Sequence, residues 1–439
     1  MSEEHFEIAA NNHAREPVPN NETVSGNRMA LIIVGIAITL PAFLIGAEIL
    51  SALGTKKGLL AVGGAGAILA LLGAMTMTIA ARTHLATGRI LIVPFGTLGA
   101  KIISSFIGIT LLGWFGFTVS LFGQACVHAS IAAFGVAFPE YVYTVIGGLL
   151  MISITIFGFK AMDLLSRIAV PILILLLVSG TVLVLEGYST NHIYNLAGSG
   201  VGPLATMGVA MSALVGGFMV GVTTSPDYAR FAKSGYEGAK ASILSYGLGY
   251  QAVLILAGMP ALVTGSNDFI GNLAAIGLGA PALFIVIFAT LTTNVSNLYS
   301  TSLGFAQTLT NWRDWVVTLA AGSMGTLAAL AGIMDHFVDF LLFLGMAVPP
   351  ICGIYLTDYY LVRKNQDYVK LANEKIALKP IAFIAWGLSF FAAWWLGKED
   401  MSLSSIAAVD AILIAGTSYM ALMKTIPNTS TKILGRNNG

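Results

Sequence analysis

Charged residues are scarce in this chain. They make up 10% of its 439 residues, whereas hydrophobic residues make up 56%, and soluble domains are about 25% charged. The mean hydropathy is +0.83, and a net charge of +1 provides no basic surface for nucleic acid. The composition therefore excludes a soluble nucleic-acid-binding protein and predicts a polytopic protein whose main partner is the lipid bilayer.

Cysteine and the motifs of enzyme active sites are also scarce. The two cysteines, Cys126 and Cys352, both lie in apolar segments, so no disulfide framework is indicated. The sequence contains no G-x-S-x-G, no H-E-x-x-H, no nucleotide-binding loop and no histidine pair with metal spacing. We predict that the protein is not an enzyme and has no covalent cofactor, and no obligate protein partner is evident.

A secretory signal is likewise missing. The first 27 residues are polar and are followed directly by an apolar run of membrane-spanning length. We expect residues 1–27 to form a disordered cytoplasmic tail. A second cytoplasmic tail is predicted at 426–439.

Long apolar runs are abundant, and they indicate about twelve transmembrane helices of about 20 residues each. They lie near 29–51, 59–81, 96–124, 141–159, 164–187, 204–225, 240–264, 281–308, 315–334, 337–362, 380–397 and 402–424. In this arrangement every Lys and Arg except Lys56, Lys57 and Lys398 falls on one side. Because basic residues favour the cytoplasm, both termini are predicted to be cytoplasmic in a multi-pass protein of the inner membrane.

Two of these spans contain helix-breaking residues in their interior. Glycine lets a backbone unwind and proline removes a helical hydrogen bond. The breakers are Gly35, Pro41 and Gly46 in the first span, and Gly216, Gly217, Gly221 and Pro226 in the sixth. Interrupted helices five spans apart predict a single transporter domain at 28–425, with inverted repeats at 28–190 and 200–362 and two extra helices at 380–424.

Polar side chains are concentrated in one span, between Ala289 and Gln307. Hydrocarbon does not tolerate such a run, so it must face a protein interior or a watery cavity. Thr292 and Thr293 place two hydroxyls one helical turn after Ala289, so we predict a Na⁺ site formed by them and the Ala289 carbonyl. Carbonyls of Gly35 and Thr39, near the break in the first span, would complete it. The alternative is that both threonines bond only their own i−4 carbonyls.

An organic substrate with a planar, hydrogen-bonding edge needs an aromatic surface and amides. Trp114 and Phe218 supply rings near glycines, and Asn294 and Asn297 supply amides in the polar run. Glu48, an ionisable residue within the first span, is a further candidate for substrate or proton binding. The alternatives are that the rings pack in the core and that Glu48 lies at the interface near Lys56.

Several motifs together resemble the nucleobase:cation symporter-1 family. They are GWFG in the third span, the sixth-span Phe followed by DYARF, TTN with LGFAQ in the eighth, and VPPICGIYLTDYYLVRK in the tenth. The resemblance implies an all-α, leucine-transporter-like fold of two inverted five-helix repeats plus two helices. It also implies symport of a nucleobase-like compound with a cation by alternating access.

By motif, the resemblance implies that Trp114 and Phe218 sandwich the substrate ring and that Asn294 binds its polar edge. Leu111, Val220 and Ala289 are apolar where cytosine permeases of that family carry polar groups. The expected substrate therefore stays open among cytosine, a purine and a hydroxymethylpyrimidine-like compound. The remaining alternatives are another small solute, such as an amino acid or an allantoin- or hydantoin-like compound, and coupling to H⁺.

Overall fold

Helices form almost all of the protein. The computed structural model describes residues 16–306, 308–364, 366–398 and 403–425. The predicted tail from residue 426 onward and Gln307 at the end of the polar run lie outside the described residues. The main helices are Gly26–Ala37, Leu40–Thr83, Thr97–Phe134, Glu140–Ile156, Gly158–Val184, Met207–Thr224, Gly235–Ser242 continuing through Ile243–Gly249 to Tyr250–Thr264, Gly279–Ala306, Asp314–Leu330, Phe337–Ala347 followed by Pro349–Thr357 and Asp358–Val362, Pro380–Lys398, and Ala407–Thr425.

These helices account for every predicted span, and we number the spans 1 to 12 in chain order. The range Leu40–Thr83 contains two helices, the second half of span 1 and all of span 2. They meet at Gly54, where a non-helical φ of 75° kinks the chain. Span 7 contains a π-helical segment at Ile243–Gly249, and span 10 ends in another at Asp358–Val362. Seven helices among the described residues are long and apolar enough to cross a membrane by length and composition.

Span 1 is interrupted, as its breakers predict. The helix Gly26–Ala37 ends at Ile38, Thr39 is extended with φ −145° and ψ 152°, and a new helix begins at Leu40. Pro41 lies in the first turn of the new helix, where its missing N–H is harmless. The same missing N–H would have bonded the Ala37 carbonyl in a continuous helix, which is why the break falls just before the proline.

The sixth span is helical where its glycines predict a break, so that part of the prediction is wrong. Met207–Thr224 runs without interruption through Gly216, Gly217 and Gly221. The helix stops only at Ser225, and Pro226 starts a short helical turn, Pro226–Ala229. Glycine inside a helix costs only about 1 kcal/mol relative to alanine, so it permits a break without imposing one.

The N-terminal segment, residues 16–28, is folded against one face of the bundle, so the prediction of disorder is wrong for its described part. Val24 donates its N–H to the Phe231 carbonyl at 2.7 Å, and the Val18 N–H reaches the His84 carbonyl at 3.1 Å. Val18 and Val24 are buried. We call this side of the bundle the N-terminal face, and the other side the opposite face.

The polar run of span 8 points into the protein, as the energetic argument predicts. Every residue from Ala289 to Ser296 is buried, and so is every residue from Leu298 to Leu303. Span 8 packs most extensively against span 3. At their closest approach a Cβ added to Gly304 would lie 2.7 Å from the Ser104 carbonyl oxygen, so only glycine fits there. This contact holds span 8 against span 3, which carries Trp114. Span 8 also contacts the first half of span 1.

Candidate functional site

Oxygen atoms of spans 1 and 8 converge at the break in span 1. The Thr292 hydroxyl lies 2.7 Å from the Gly35 carbonyl oxygen and 3.0 Å from that of Ala289. The Thr293 hydroxyl lies 2.9 Å from the Ile36 carbonyl oxygen and 3.0 Å from that of Ala289. We call these five oxygens, from Gly35, Ile36, Ala289, Thr292 and Thr293, the oxygen cluster.

The break in span 1 produces the cluster directly. Because the chain leaves the helix at Ile38 and Thr39, the carbonyls of Gly35 and Ile36 have no helical N–H and accept from span 8 instead. The alternative for the threonines is also partly met, since Thr292 lies 3.0 Å from the carbonyl of Phe288, its i−4 residue. The hydroxyls therefore bond both their own helix and span 1.

Thr39 does not occupy the position expected of it. Its carbonyl accepts the Phe43 N–H at 3.1 Å, in the first turn of the second half-helix, and Ile36 supplies the carbonyl that meets Thr293. The Thr39 hydroxyl is buried and has no hydrogen-bond partner among the residues that the structure describes. A buried, unpartnered hydroxyl at the break is a group that a ligand or ion could use. Ser166 of span 5 is buried close to the break, and a Cβ on Gly35 would lie 3.5 Å from its hydroxyl oxygen.

Trp114 is partly buried on span 3, beside span 10. Its ring meets Phe340 edge-on, with centroids 5.8 Å apart. A Cβ on the preceding Gly113 would lie 2.7 Å from the same Phe340 ring, so this glycine makes room for the aromatic pair. The neighbouring helix thereby fixes the orientation of the indole.

Phe218 is partly buried on span 6 and faces span 7. Its ring centroid lies 4.2 Å from that of Tyr250 and 5.6 Å from that of Tyr246. Gly216 and Gly217, just before it, have open space where a Cβ would point. Trp114 and Phe218 make no ring contact with each other among the described residues, so a substrate sandwich between them remains a prediction.

Asn294 is fully buried and already hydrogen-bonded. Its amide donates to the Phe115 carbonyl at 3.1 Å and to the Met151 sulfur at 3.3 Å. Its oxygen accepts from Asn297 at 3.3 Å. Asn297 is the partly exposed member of the pair. The structure therefore makes Asn294 an anchor joining spans 3, 4 and 8, and makes Asn297 the amide with capacity to spare.

Glu48 lies apart from these residues, on the opposite face. It is partly buried and lines a cavity of about 440 Å³ between the second half of span 1, residues 197–204 and the end of span 7. Lys56 does not pair with it, because its ammonium donates to Asn195 at 2.8 Å and stacks on Tyr194. The structure does not bring Glu48 to the oxygen cluster.

A buried polar network closes the N-terminal face, and sequence reasoning missed its extent. Arg230, which is 0% exposed, donates to the Asp227 main-chain carbonyl at 3.1 Å and to the Tyr299 hydroxyl at 2.8 Å. Asp227 accepts the Thr87 N–H at 2.9 Å. The Ser300 hydroxyl bonds the Tyr228 hydroxyl at 3.0 Å. The DYARF motif alone could not reveal this network, because its partners Tyr299 and Thr87 lie about 70 and 140 residues away in the sequence.

The sequence matches a known family model over residues 17–417, described as permease for cytosine/purines, uracil, thiamine and allantoin. The cytosine permease of Escherichia coli strain K12 is 26% identical over 432 residues, which cover 96% of each chain. The hydantoin permease of Microbacterium maritypicum is 24% identical over 301 residues, covering 62% of this chain and 60% of that protein.

Solved transporter structures share the fold. Mhp1, a nucleobase-cation-symport-1 family transporter in a closed conformation with bromovinylhydantoin bound, superposes with a TM-score of 0.80 at 19% identity, covering 94% of this chain and 97% of Mhp1. A Na⁺-coupled sialic acid symporter gives 0.67 at 14% identity, covering 96% and 95%. The expectation of a leucine-transporter-like, all-α membrane fold is confirmed.

Proposed function

The chain belongs to the family of permeases for cytosine/purines, uracil, thiamine and allantoin, and from that premise we propose that it imports a nucleobase or related heterocycle together with Na⁺. The resemblance to nucleobase:cation symporters is thereby confirmed at the level of the family. The solute, the coupling ion and the orientation in the membrane are the proposed parts.

The oxygen cluster is the observation that carries the proposal. Three carbonyls and two hydroxyls meet where span 1 is broken, and freed carbonyls beside half-helix ends are the groups that secondary transporters offer to Na⁺. The set has no carboxylate, histidine or thiolate, so it offers the neutral oxygens that suit a hard monovalent cation. Thr292 and Thr293 bind the ion through their hydroxyls, and Gly35, Ile36 and Ala289 through their carbonyls.

The substrate site lies between Trp114 and Phe218. Each ring is held by a neighbouring helix, by Phe340 in one case and by Tyr250 in the other, so both present a fixed face for stacking. Asn297 supplies the polar edge, and Asn294 holds Asn297 in place by accepting its hydrogen bond. The unpartnered Thr39 hydroxyl lies at the span 1 break and adds a donor or acceptor.

Coupling follows from the position of the cluster. Ion binding at the break ties the first half of span 1 to span 8, and span 8 also carries the asparagines of the substrate site. One ligand thereby stabilises the helix arrangement that the other needs. The network of Arg230, Asp227 and Tyr299 closes the N-terminal face, which we assign to the cytoplasm, in one of the two alternating states.

Uptake into proteoliposomes tests both parts of the proposal. We expect an imposed inward Na⁺ gradient to accelerate uptake of at least one of labelled cytosine, uracil, adenine and hypoxanthine. Equal uptake with and without the Na⁺ gradient, together with acceleration by a pH gradient alone, would replace Na⁺ by H⁺ as the coupling ion. Absence of uptake for every heterocycle would contradict the proposed solute class.

A hydantoin is the second candidate solute, and a specific observation favours it. The solved relative Mhp1 is described with bromovinylhydantoin bound, and a curated relative is a hydantoin permease. Labelled hydantoin belongs in the same uptake panel. Na⁺-driven hydantoin uptake that exceeds uptake of all four nucleobases would select this candidate.

A further inference from the structure

A cavity around Glu48, on the opposite face, is not part of the proposed transport site. It measures about 440 Å³ and lies between the second half of span 1, the connection before span 6 and the end of span 7. This volume is within the range of about 300–1,000 Å³ that small-molecule sites occupy. The cavity is therefore large enough to admit a single heterocycle.

Glu48 carries the only charge among the residues that line this cavity. Its side chain makes no hydrogen bond or ion pair with any part of the chain that the structure describes, and Lys56 is engaged by Asn195 and Tyr194 instead. An ionised carboxylate only accepts hydrogen bonds. The cavity thus presents an uncompensated acceptor to whatever enters it.

Ser51, Ser199 and Asn267 supply the other polar side chains of the cavity lining, which is otherwise apolar or glycine. Ser51 donates to the Asn267 side-chain oxygen at 3.1 Å, which leaves the Asn267 amide nitrogen for a ligand. The Ser51 and Ala52 carbonyls accept the N–H groups of Ser199 and Gly200 at 2.9 and 3.0 Å. These bonds hold the connection before span 6 against span 1. Because no group of three or more metal-binding side chains exists among the described residues, the cavity fits an organic molecule better than a metal ion.

We propose that this cavity is an entry site that selects heterocycles with an exocyclic amino group over their oxo counterparts. The inference rests on the proposed function and narrows its solute class. Carboxylates accept hydrogen bonds from the amino group of cytosine in nucleic-acid recognition, and the same contact is open to Glu48. Bound in the same orientation, an oxo analogue would turn a carbonyl oxygen toward the carboxylate, where repulsion and an unmade hydrogen bond disfavour it.

Matched pairs of solutes separate this effect from general transport. Cytosine and uracil differ at the amino position, and so do adenine and hypoxanthine. Initial Na⁺-driven uptake at low concentration gives kcat/KM for each solute in proteoliposomes. We expect the wild type to prefer the amino member of each pair, and Glu48→Gln to reduce that preference about tenfold through KM. Glu48→Asp should retain most of it, because it keeps the carboxylate.

Asp268→Asn is the matched control. Asp268 caps the helix Phe269–Ala275, next to Asn267 but outside the cavity lining, and asparagine is also a good cap. The substitution removes a negative charge from the same face, and we expect the amino preference to stay at the wild-type value. N4,N4-dimethylcytosine offered to the wild type removes the exocyclic N–H groups from the solute instead of changing the protein, so this measurement is independent of folding. We expect its kcat/KM to fall to that of uracil.

Four results would overturn the entry site. They are a wild type without amino preference, a preference unchanged by Glu48→Gln, an equal loss for all four solutes, and a shift confined to the Na⁺ half-saturation concentration. Uptake of dimethylcytosine as efficient as that of cytosine would also overturn it. If the wild type transports none of these heterocycles, the proposed function itself fails and the entry site falls with it.

Discussion

Thr292 and Thr293 are adjacent in sequence, yet each reaches a different carbonyl of span 1. Their spacing from Ala289 could be predicted from helical geometry alone, because i−3 and i−4 residues share a face. The carbonyl of Ile36 could not be placed so easily, since it depends on where span 1 breaks. Pro41 frees the backbone one turn earlier, so the useful carbonyls lie before Thr39 rather than at it.

We expect Thr293→Ala to raise the Na⁺ concentration for half-maximal uptake about tenfold. The substitution removes one of five cluster oxygens and leaves the Ile36 carbonyl without its donor. A lost hydrogen bond of this kind also lowers the free energy of unfolding by about 1–3 kcal/mol. Uptake against Na⁺ concentration and thermal unfolding in detergent measure the two effects. Thr293→Ser, which keeps the hydroxyl, is the control. Identical Na⁺ curves for Ala and Ser would show that this hydroxyl does not serve the ion.

The N-terminal segment shows the limit of sequence reasoning at the scale of the element. Its polar composition predicts disorder, but main-chain bonds to residues about 65 and 210 positions away hold it in place. Main-chain bonding of this kind leaves no compositional signal. Side chains add to it, because Arg28 pairs with Asp163, which also binds Arg167 at 3.1 Å. The segment therefore connects several helices at the N-terminal face.

Weakening the main-chain bonding of the N-terminal segment should make the buried network at the N-terminal face more accessible to solvent. Val24→Pro removes the N–H that bonds the Phe231 carbonyl, whereas Val24→Ala keeps it and serves as the control. We introduce Ser300→Cys as a reporter, because Ser300 is buried beside Tyr228 in the closing network. Maleimide should label this cysteine several-fold to about tenfold faster in the proline variant, matching the loss of about one hydrogen bond. Equal labelling rates in both variants would show that the segment does not stabilise closure.

At the scale of the whole molecule, a helix lies at every span that hydropathy predicts, because bilayer thickness fixes the length of the apolar runs. The positions of the helices relative to one another required the structure, since small residues such as Gly304 set the contacts and single sequences do not reveal their partners. The direction of the molecule in the membrane remains a prediction from the distribution of Lys and Arg.

Substituted cysteines test that direction. Lys57 lies at the opposite face after the first span, and Lys364 follows span 10 on the N-terminal side; both are exposed. The predicted topology places Lys57→Cys outside and Lys364→Cys inside. In intact cells a membrane-impermeant maleimide should label only the first, and permeabilisation should make the second reactive. The native Cys126 and Cys352 are buried and give the background in the unsubstituted protein. The reverse labelling pattern would invert the topology.

The second half of span 1 is a helix bounded by two residues with non-helical backbone. It runs from the break at Thr39 to Gly54, whose φ of 75° turns the chain into span 2. At about 1.5 Å per residue the helix is about 21 Å long. A rotation of about 10° around one of these residues moves the other end by about 4 Å, roughly the thickness of an aromatic ring. Torsional changes at these two residues would therefore displace an end of this helix by a distance comparable to the thickness of an aromatic ring.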